Sequence, residues 1–226
     1  MPEKVYESLR VVFRKAFGII FEKSTGIIEK TYNKEDLSKG FQMLDYSIEI
    51  NSKKDYFWLN VRSDLNNLTA LLASTVEGVG LGSLGIGMPD IVLFIFVVFR
   101  DCYATALRYG FTYDKPEEKY FILTVLEGAL LKGAEWDACN ERVNAMLHSL
   151  HVPSEAEMKE QLQHTADAFA TDMLVSKFVQ GIPVVGAVGG LANPVYYRKI
   201  HRYVRLKYQK RFLNGSVENA TDMSII

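Results

Sequence analysis

Three acidic side chains lie in or beside apolar helical stretches, where burial can raise the pKa of a carboxyl group and suit it to general acid or base catalysis. These acids are Asp90, Asp101 and Glu127. Acids in such positions more often cap a helix or pair with a cation, and Arg100 and Arg108 are nearby in the sequence. No G-x-S-x-G elbow or other nucleophile signature accompanies them. Asp90 and Glu127 are therefore candidate catalytic residues for the case in which the chain is a hydrolase.

The possible metal ligands do not form a recognisable site. His148 and His151 can share a helix face, but they precede Pro153 at a helix end, and no acid lies at the spacing of a third zinc ligand. Cys102 and Cys139 lack C-x-x-C spacing and lie in apolar helical patterns, which predicts buried reduced thiols. The sequence therefore predicts no metal site, and no cofactor is expected.

A glycine-rich segment, EGVGLGSLGIGMPD, covers residues 77–90 and contains Gly80-x-Gly82-x-x-Gly85, the spacing of a dinucleotide-binding fingerprint. Such a site needs a strand before the first glycine and a crossover helix after the third. Only five residues separate Gly85 from Ile91, which is too short for that helix, and the preceding LTALLASTVE has helical spacing. A nucleotide is therefore not an expected ligand.

Small residues spaced by four predict instead that helices pack closely, because short side chains let two backbones approach each other. We interpret the glycines among them as structural glycines at a contact between two helical segments. One stripe comprises Ala70, Ser74, Gly78 and Gly82, and a second pair comprises Gly186 and Gly190.

The segments 78–99 and 178–197 are almost uncharged. Asp90 is the only charged residue of the first, and the second has none over 20 residues, about the length of a membrane-spanning helix. Glycines and prolines keep both segments only modestly apolar. Two interpretations stay open: a buried hairpin in the core of the domain, or an interfacial or re-entrant insertion into a membrane.

Residues 198–211 carry seven Lys/Arg residues and no acid, although the whole chain has a formal charge of −1. The rest of the chain holds 19 basic and 27 acidic residues, a balance of −8, so a basic helix adjoins an acidic body. Tyrosines interleave with the cations, and this composition suits an anionic lipid surface, an RNA backbone or an ordinary solvated helix face. The candidate residues for binding an anionic surface are Arg198, Lys199, Arg202, Arg205, Lys207, Lys210 and Arg211.

Apolar residues recur at helical spacing along most of the chain. Three amphipathic helices precede the glycines, and IVLFIFVVF followed by RDCYATALRYGF predicts one buried helix over 90–109, although its first nine residues are strand-like in composition. Acids and a proline in DKPEEKYF start a helix that continues toward Leu150 with a bend at Gly133. Ser154 and Glu157 form a capping box at the next helix start, and a last long helix ends at about Leu213.

These patterns predict an all-α fold, a single-domain bundle of about seven helices with glycine-mediated close helix packing. The only Asn-Gly pair lies near the C-terminus, so the sequence carries no β-hairpin signal. We expect N-terminal helices over residues 1–55 that pack on a helical domain over 56–213, followed by a mobile tail over 214–226.

Four segments, in this order, resemble the EcsC family: EGVGLGSLGIGMPD, LRYGF, DKPEEKYF and IPVVGAVGGLANPVYYRKIHRYVRLKYQKRFL. The resemblance covers residues 60–213. The family takes its name from a bacterial protein encoded beside the subunits of an ABC transporter, and the resemblance implies neither an established activity nor catalytic residues. It implies framework positions at residues 78–90, Tyr109, Gly110, Pro183, Gly186 and Arg211.

The expected function is non-enzymatic. We expect a helical accessory or interaction protein, cytoplasmic and peripheral to the inner face of the membrane, that contacts an anionic membrane surface or a membrane protein and is linked to ABC transport by its family resemblance. The cytoplasmic placement rests on the N-terminus MPEKVYESLRVVFRK, which lacks the basic start and short apolar block of a secretory signal. The alternatives are a hydrolase that uses buried acids between helices and, with less support, an RNA-binding protein; nucleic acid is not the expected partner.

Overall fold

The computed structural model describes residues 3–23, 25–29, 88–179 and 194–223. These residues form helices without strands, which confirms the all-α prediction. Six helices in the described part have 13 residues or more, compared with the expected seven, and one further helix has five. In chain order they are α1 (Glu3–Lys23), α2 (Thr25–Glu29), α3 (Met88–Arg108), α4 (Pro116–Gly128), α5 (Gly133–Met146), α6 (Glu155–Val179) and α7 (Pro194–Met223).

Helix α3 confirms that the run IVLFIFVVF is helical despite its β-branched and aromatic composition. The helix ends where the sequence predicts it, because Gly110 adopts a left-handed φ of 80° that most side chains disfavour. The amide of Gly110 donates to the carbonyl of Leu107 at 3.1 Å, and the amide of Phe111 donates to the carbonyl of Ala106 at 2.9 Å. These two bonds form a Schellman motif that satisfies the last carbonyls of α3.

The predicted single helix from DKPEEKYF toward Leu150 is wrong, since the chain forms two helices there. Helix α4 begins with Pro116 in its first turn and ends at Gly128, and α5 begins at Gly133. Gly133 has a φ of 58°, which is incompatible with a continuous right-handed helix, so the expected bend is a full break.

The start of α6 confirms the capping box. The hydroxyl of Ser154 accepts a hydrogen bond from the amide of Glu157 at 3.3 Å, and the Glu157 carboxylate accepts from the amide of Ser154 at 2.8 Å. Helix α7 continues to Met223, past the expected end at Leu213. A single glycine costs a helix about 1 kcal/mol relative to alanine, so Gly215 does not by itself end it.

The core forms where α1 packs on both α3 and α6, and α4 packs on both α5 and α6. Aromatic side chains fill the contact of the first three helices. The ring of Phe17 lies 5.0 Å from that of Phe169 and 5.7 Å from that of Phe99, both edge to face. Tyr103 and Tyr113 stack at 4.2 Å beside this cluster. The first helix of the chain is therefore part of the central core.

The described part of the first uncharged segment lies inside the protein. Side chains from Ile91 to Phe99, apart from that of Leu93, are described and all are buried. No helix among the described residues combines the length and the apolar character needed to cross a membrane. Residues 78–87 and 180–193 lie outside the described ranges, and so do the predicted structural glycines Gly78, Gly82, Gly186 and Gly190.

A glycine that the sequence patterns do not single out, Gly128, forms a close helix contact within the described residues. A Cβ atom at this position would lie 2.9 Å from the Tyr203 hydroxyl of α7 and 3.3 Å from the Cys139 sulfur of α5. Three helices therefore meet at the end of α4 because residue 128 has no side chain. By contrast, a Cβ atom added at Gly18 of α1 would have no neighbouring atom within 4 Å.

The two glycines are expected to respond differently to substitution by alanine. Gly18→Ala should raise the free energy of unfolding by about 1 kcal/mol, since alanine favours a helix and meets no obstacle. Gly128→Ala should show no such gain, and Gly128→Leu should lower the free energy of unfolding by about 2 kcal/mol or more through overpacking. Urea unfolding of the three variants measures both effects. Equal gains for the two alanine variants would contradict the close contact.

Candidate functional site

The last helix, α7, has a buried face and an exposed face that both carry polar residues. Tyr197, Ile200, Val204 and Tyr208 are buried and recur at helical spacing, and this face packs on α3 and α4. The seven predicted cations are divided between the two faces. Arg198, Lys199, Arg202, Arg205 and Lys210 are exposed, Lys207 is buried, and Arg211 is partly buried.

Arg211 is held inside the protein by a carboxylate and two aromatic rings. Its Nη1 donates to both carboxylate oxygens of Glu118, at 2.7 and 3.0 Å. Its guanidinium carbon lies 4.0 Å from the ring centroid of Phe111 and 5.1 Å from that of Phe121. The Tyr208 hydroxyl donates to the same carboxylate at 2.7 Å, and burial beside Glu118 raises the pKa of Tyr208. Arg211 is therefore a structural residue that anchors α7 to α4.

Lys207 is also directed inward, toward α5. Only 7% of the residue is exposed, and its Nζ donates to the side-chain oxygens of Asn140 at 2.5 Å and Asn144 at 2.9 Å. Burial, with a smaller contribution from Lys210, lowers the pKa of Lys207 to about 8. Neutral amide oxygens satisfy this amine in place of a carboxylate, so Lys207 contributes to the packing of α7 on α5.

His201 on α7 pairs with Asp101 on α3, one of the three acids that lie in or beside apolar helical stretches. Its Nδ1 lies 2.7 Å from Oδ2 of Asp101, whose residue is 5% exposed. We place the proton on Nδ1 because an ionised carboxylate only accepts hydrogen bonds. Tyr197 stacks on the imidazole at 6.0 Å, and burial together with the nearby Asp101 raises the pKa of Tyr197. The attraction of Asp101 outweighs burial and raises the pKa of His201.

The exposed face of α7 carries the remaining cations. Arg198, Arg202 and Arg205 lie within about 60° of arc at 100° per residue, and none forms an ion pair with a carboxylate in the described part of the chain. Two apolar side chains extend this face, Leu206 at 46% exposure and Leu213 at 53%. Lys199 differs from its neighbours because its Nζ lies 3.5 Å from Asp172 of α6.

Glu127, a candidate catalytic acid, is held in a buried hydrogen-bond network. Its Oε2 accepts hydrogen bonds from Nη2 of Arg142 at 3.1 Å and from Nε2 of Gln161 at 2.7 Å. The cation that pairs with Glu127 is therefore Arg142 of α5, not Arg100 or Arg108. Asp90, the other candidate, lies in the first turn of α3, and its side chain is not among those described.

The cysteines and histidines that the sequence offers as possible metal ligands do not form a common site among the described side chains. Cys102 and Cys139 are buried free thiols, and burial raises the pKa of both. His151 lies 3.0 Å from the carboxylate of Glu157 and packs edge to face on Tyr120. Among the side chains that the structure describes, no group of three or more His, Cys, Asp or Glu residues could hold a metal ion.

His201 is the site residue that sequence reasoning missed. It stands in a run of cations and looks like one more member of a solvated basic face. The available signal is its register, because His201 follows Tyr197 by four residues and precedes Tyr208 by seven on the buried side of α7. A polar residue on such a face requires a partner from another helix, and Asp101 is an acid within an apolar stretch.

Comparison with known proteins identifies one family. The sequence model of the EcsC protein family matches residues 1–213, so the match includes the N-terminal helix α1. It also includes the buried face of α7 through Arg211. No curated protein and no solved structure matches the chain significantly.

The His201–Asp101 pair predicts a pH dependence of stability with a definite sign. Because the pKa of His201 is raised in the folded state, the pair contributes fully below the unfolded pKa of about 6.5. This contribution is lost as the pH rises through the raised pKa. Asp101→Asn should flatten this loss and lower the pKa of His201, measured by urea unfolding across neutral pH and by NMR titration of the imidazole.

Asp137→Asn is the matched control for that experiment. Asp137 is an exposed acid on α5, so its substitution removes the same charge without touching the pair. It should leave both the pH dependence and the pKa of His201 as in the wild type. An unchanged His201 pKa in Asp101→Asn would contradict the pairing.

Proposed function

The chain belongs to the EcsC protein family, and we propose that it is a helical accessory protein that binds the anionic inner surface of a membrane through the exposed face of α7. The observation that carries the proposal is the triad Arg198, Arg202 and Arg205. These three exposed cations point to one side of the helix and have no carboxylate partner among the described residues.

Only some of the cations on α7 form ion pairs with carboxylates in the described part of the chain. This difference supports membrane binding over an ordinary solvated helix face. A solvated face would pair its cations with the acidic body, and Lys199 and Arg211 do this with Asp172 and Glu118. The arginine triad does not follow that pattern. Acids elsewhere in the chain are screened over about 8 to 10 Å at physiological salt, so a net charge of −1 does not prevent the triad from attracting an anionic surface.

Magnitudes favour a reversible, peripheral attachment. Each cation near an anionic leaflet contributes about 1 kcal/mol, so the triad contributes about 3 kcal/mol, or roughly a hundredfold in affinity. Leu206 and Leu213, exposed on the adjoining part of the face, can transfer apolar surface from water into the headgroup boundary. An electrostatic attraction combined with a small apolar contact is typical of interfacial helices.

The family resemblance suggests what such attachment serves. A protein held at the inner leaflet meets the cytoplasmic surfaces of membrane proteins, and we include an ABC transporter among the partners of this accessory role. The hydrolase alternative draws no support from Glu127, because Arg142 and Gln161 already use one oxygen of its carboxylate. The RNA alternative shares the cationic chemistry and is an outcome of the experiment below.

The test is sedimentation with vesicles of phosphatidylcholine containing phosphatidylglycerol. The triple variant Arg198→Gln, Arg202→Gln, Arg205→Gln should bind about a hundredfold more weakly than the wild type. The matched control is Lys4→Gln, Lys15→Gln, Lys159→Gln, which removes three exposed cations from α1 and α6 and should bind like the wild type. Binding by the wild type should also weaken as salt is added.

Three results of this experiment would count against the proposal. The first is that the wild type fails to sediment with anionic vesicles. The second is that both triple variants lose binding equally, which would indicate a general charge effect. The third, from a parallel binding assay with single-stranded RNA, is that the wild type binds RNA but not vesicles and the arginine triple variant loses that binding, which would favour the RNA-binding alternative.

A further inference from the structure

The imidazole of His201 is held in one orientation with one nitrogen unused. Nδ1 of His201 donates a hydrogen bond to Oδ2 of Asp101 at 2.7 Å, and the stacked ring of Tyr197 fixes the plane of the imidazole. The other nitrogen, Nε2, has no hydrogen-bond partner in the described part of the chain, and 32% of the side chain is exposed. A fixed ring with a free outward nitrogen is suited to binding a ligand group.

Two arginines act on the charge of this imidazole and have no carboxylate of their own in the described part of the chain. Arg205 follows His201 by one helical turn, about 6 Å along the axis, and Arg108 lies in the last turn of α3. Both guanidinium groups are near enough to oppose the protonation of His201, and both also act on Tyr109. Neither forms an ion pair with a described carboxylate.

Helices α3 and α7 place His201, Arg205 and Arg108 at one edge of the contact between the two helices. Asp101 faces His201 and Tyr109 faces Phe212, so α3 and α7 run in the same direction. Arg108 therefore lies near the part of α7 that begins at Arg205. Asp101 is the acid that acts on His201 among the described groups, and it already accepts a hydrogen bond from that imidazole. The edge as a whole is cationic.

We propose that His201, Arg205 and Arg108 bind the phosphomonoester headgroup of a membrane lipid. A phosphomonoester carries a charge of about −1.5 to −2 and three terminal oxygens, whereas a phosphodiester carries one charge and two free oxygens. Three donors from two helices match the first group better than the second. The proposal rests on the proposed membrane binding and adds a headgroup preference to it.

The position of Arg205 connects the two functions. It belongs to the exposed arginine triad and also neighbours His201, so a lipid at the surface reaches the edge of the α3–α7 contact without entering the core. The Tyr109 hydroxyl, on a partly buried side chain near both arginines, is available as a fourth donor. A bound dianion also stabilises the imidazolium, since opposite charges favour the charged form.

The experiment compares vesicles that contain phosphatidic acid with vesicles that contain phosphatidylglycerol at equal surface charge. The wild type should bind the phosphatidic acid vesicles about tenfold more tightly, the effect of one added charge-assisted contact. His201→Asn should lose this preference but keep binding to phosphatidylglycerol, because asparagine can still donate to Asp101 while it lacks Nε2. Arg108→Gln, a substitution at an exposed position, should lose the preference in the same way.

Arg202→Gln is the matched control, since it removes a cation of the triad that points about 100° around α7 from His201. It should weaken binding to both kinds of vesicle by the same factor and leave the ratio unchanged. Equal wild-type binding to the two lipids, unaffected by His201→Asn, would overturn this inference alone. Failure to bind either vesicle would instead contradict the proposed membrane function.

A second experiment uses a soluble phosphomonoester to distinguish a site for a lipid headgroup from a site for a free phosphomonoester. Glycerol 3-phosphate should raise the pKa of His201, followed by NMR, and should compete with the phosphatidic acid vesicles. Asp101 on α3 and Tyr197 on α7 contact this imidazole, and the charges of Arg108 on α3 and Arg205 on α7 oppose its protonation. A rise in the His201 pKa with no lipid preference would assign the site to a free phosphomonoester and overturn the lipid proposal.

Discussion

The structure depends on how a basic helix is packed against the rest of the bundle. A buried charged group is costly unless a partner satisfies it, and the inner face of α7 carries His201, Lys207 and Arg211. Each meets a different helix: Asp101 of α3, the two asparagines of α5 and Glu118 of α4. These three contacts fix both the rotation and the register of α7, which in turn determines which cations face outward.

Such contacts contribute more to geometry than to net stability. The attraction between buried opposite charges is largely offset by the cost of removing them from water, and apolar cores of the same shape can be equally stable. A sliding or rotated α7, however, would leave Glu118 and Asp101 as buried acids without partners. The polar contacts therefore exclude alternative packings, and the aromatic cluster of Phe17, Phe99 and Phe169 supplies the apolar burial.

Local signals predicted the parts of the fold that are decided locally. The Schellman ending at Gly110, the capping box at Ser154 and the helical state of 91–99 all follow from residues adjacent in sequence. The break before Gly133 escaped prediction because apolar spacing continues across it. The distribution of the cations also escaped, because helical spacing shows which residues share a face but does not show which face meets a neighbour. For the same reason the partner of Glu127 proved to be Arg142, a residue on the next helix.

The contact at Gly128 has an evolutionary consequence. The hydroxyl of Tyr203 occupies the space that a side chain at position 128 would need, so the two residues share one volume. A substitution at either position changes what the other can hold. Among related sequences the two positions should therefore covary: a larger residue at 128 should accompany a smaller one at 203, while a tyrosine at 203 should be inherited together with a glycine at 128.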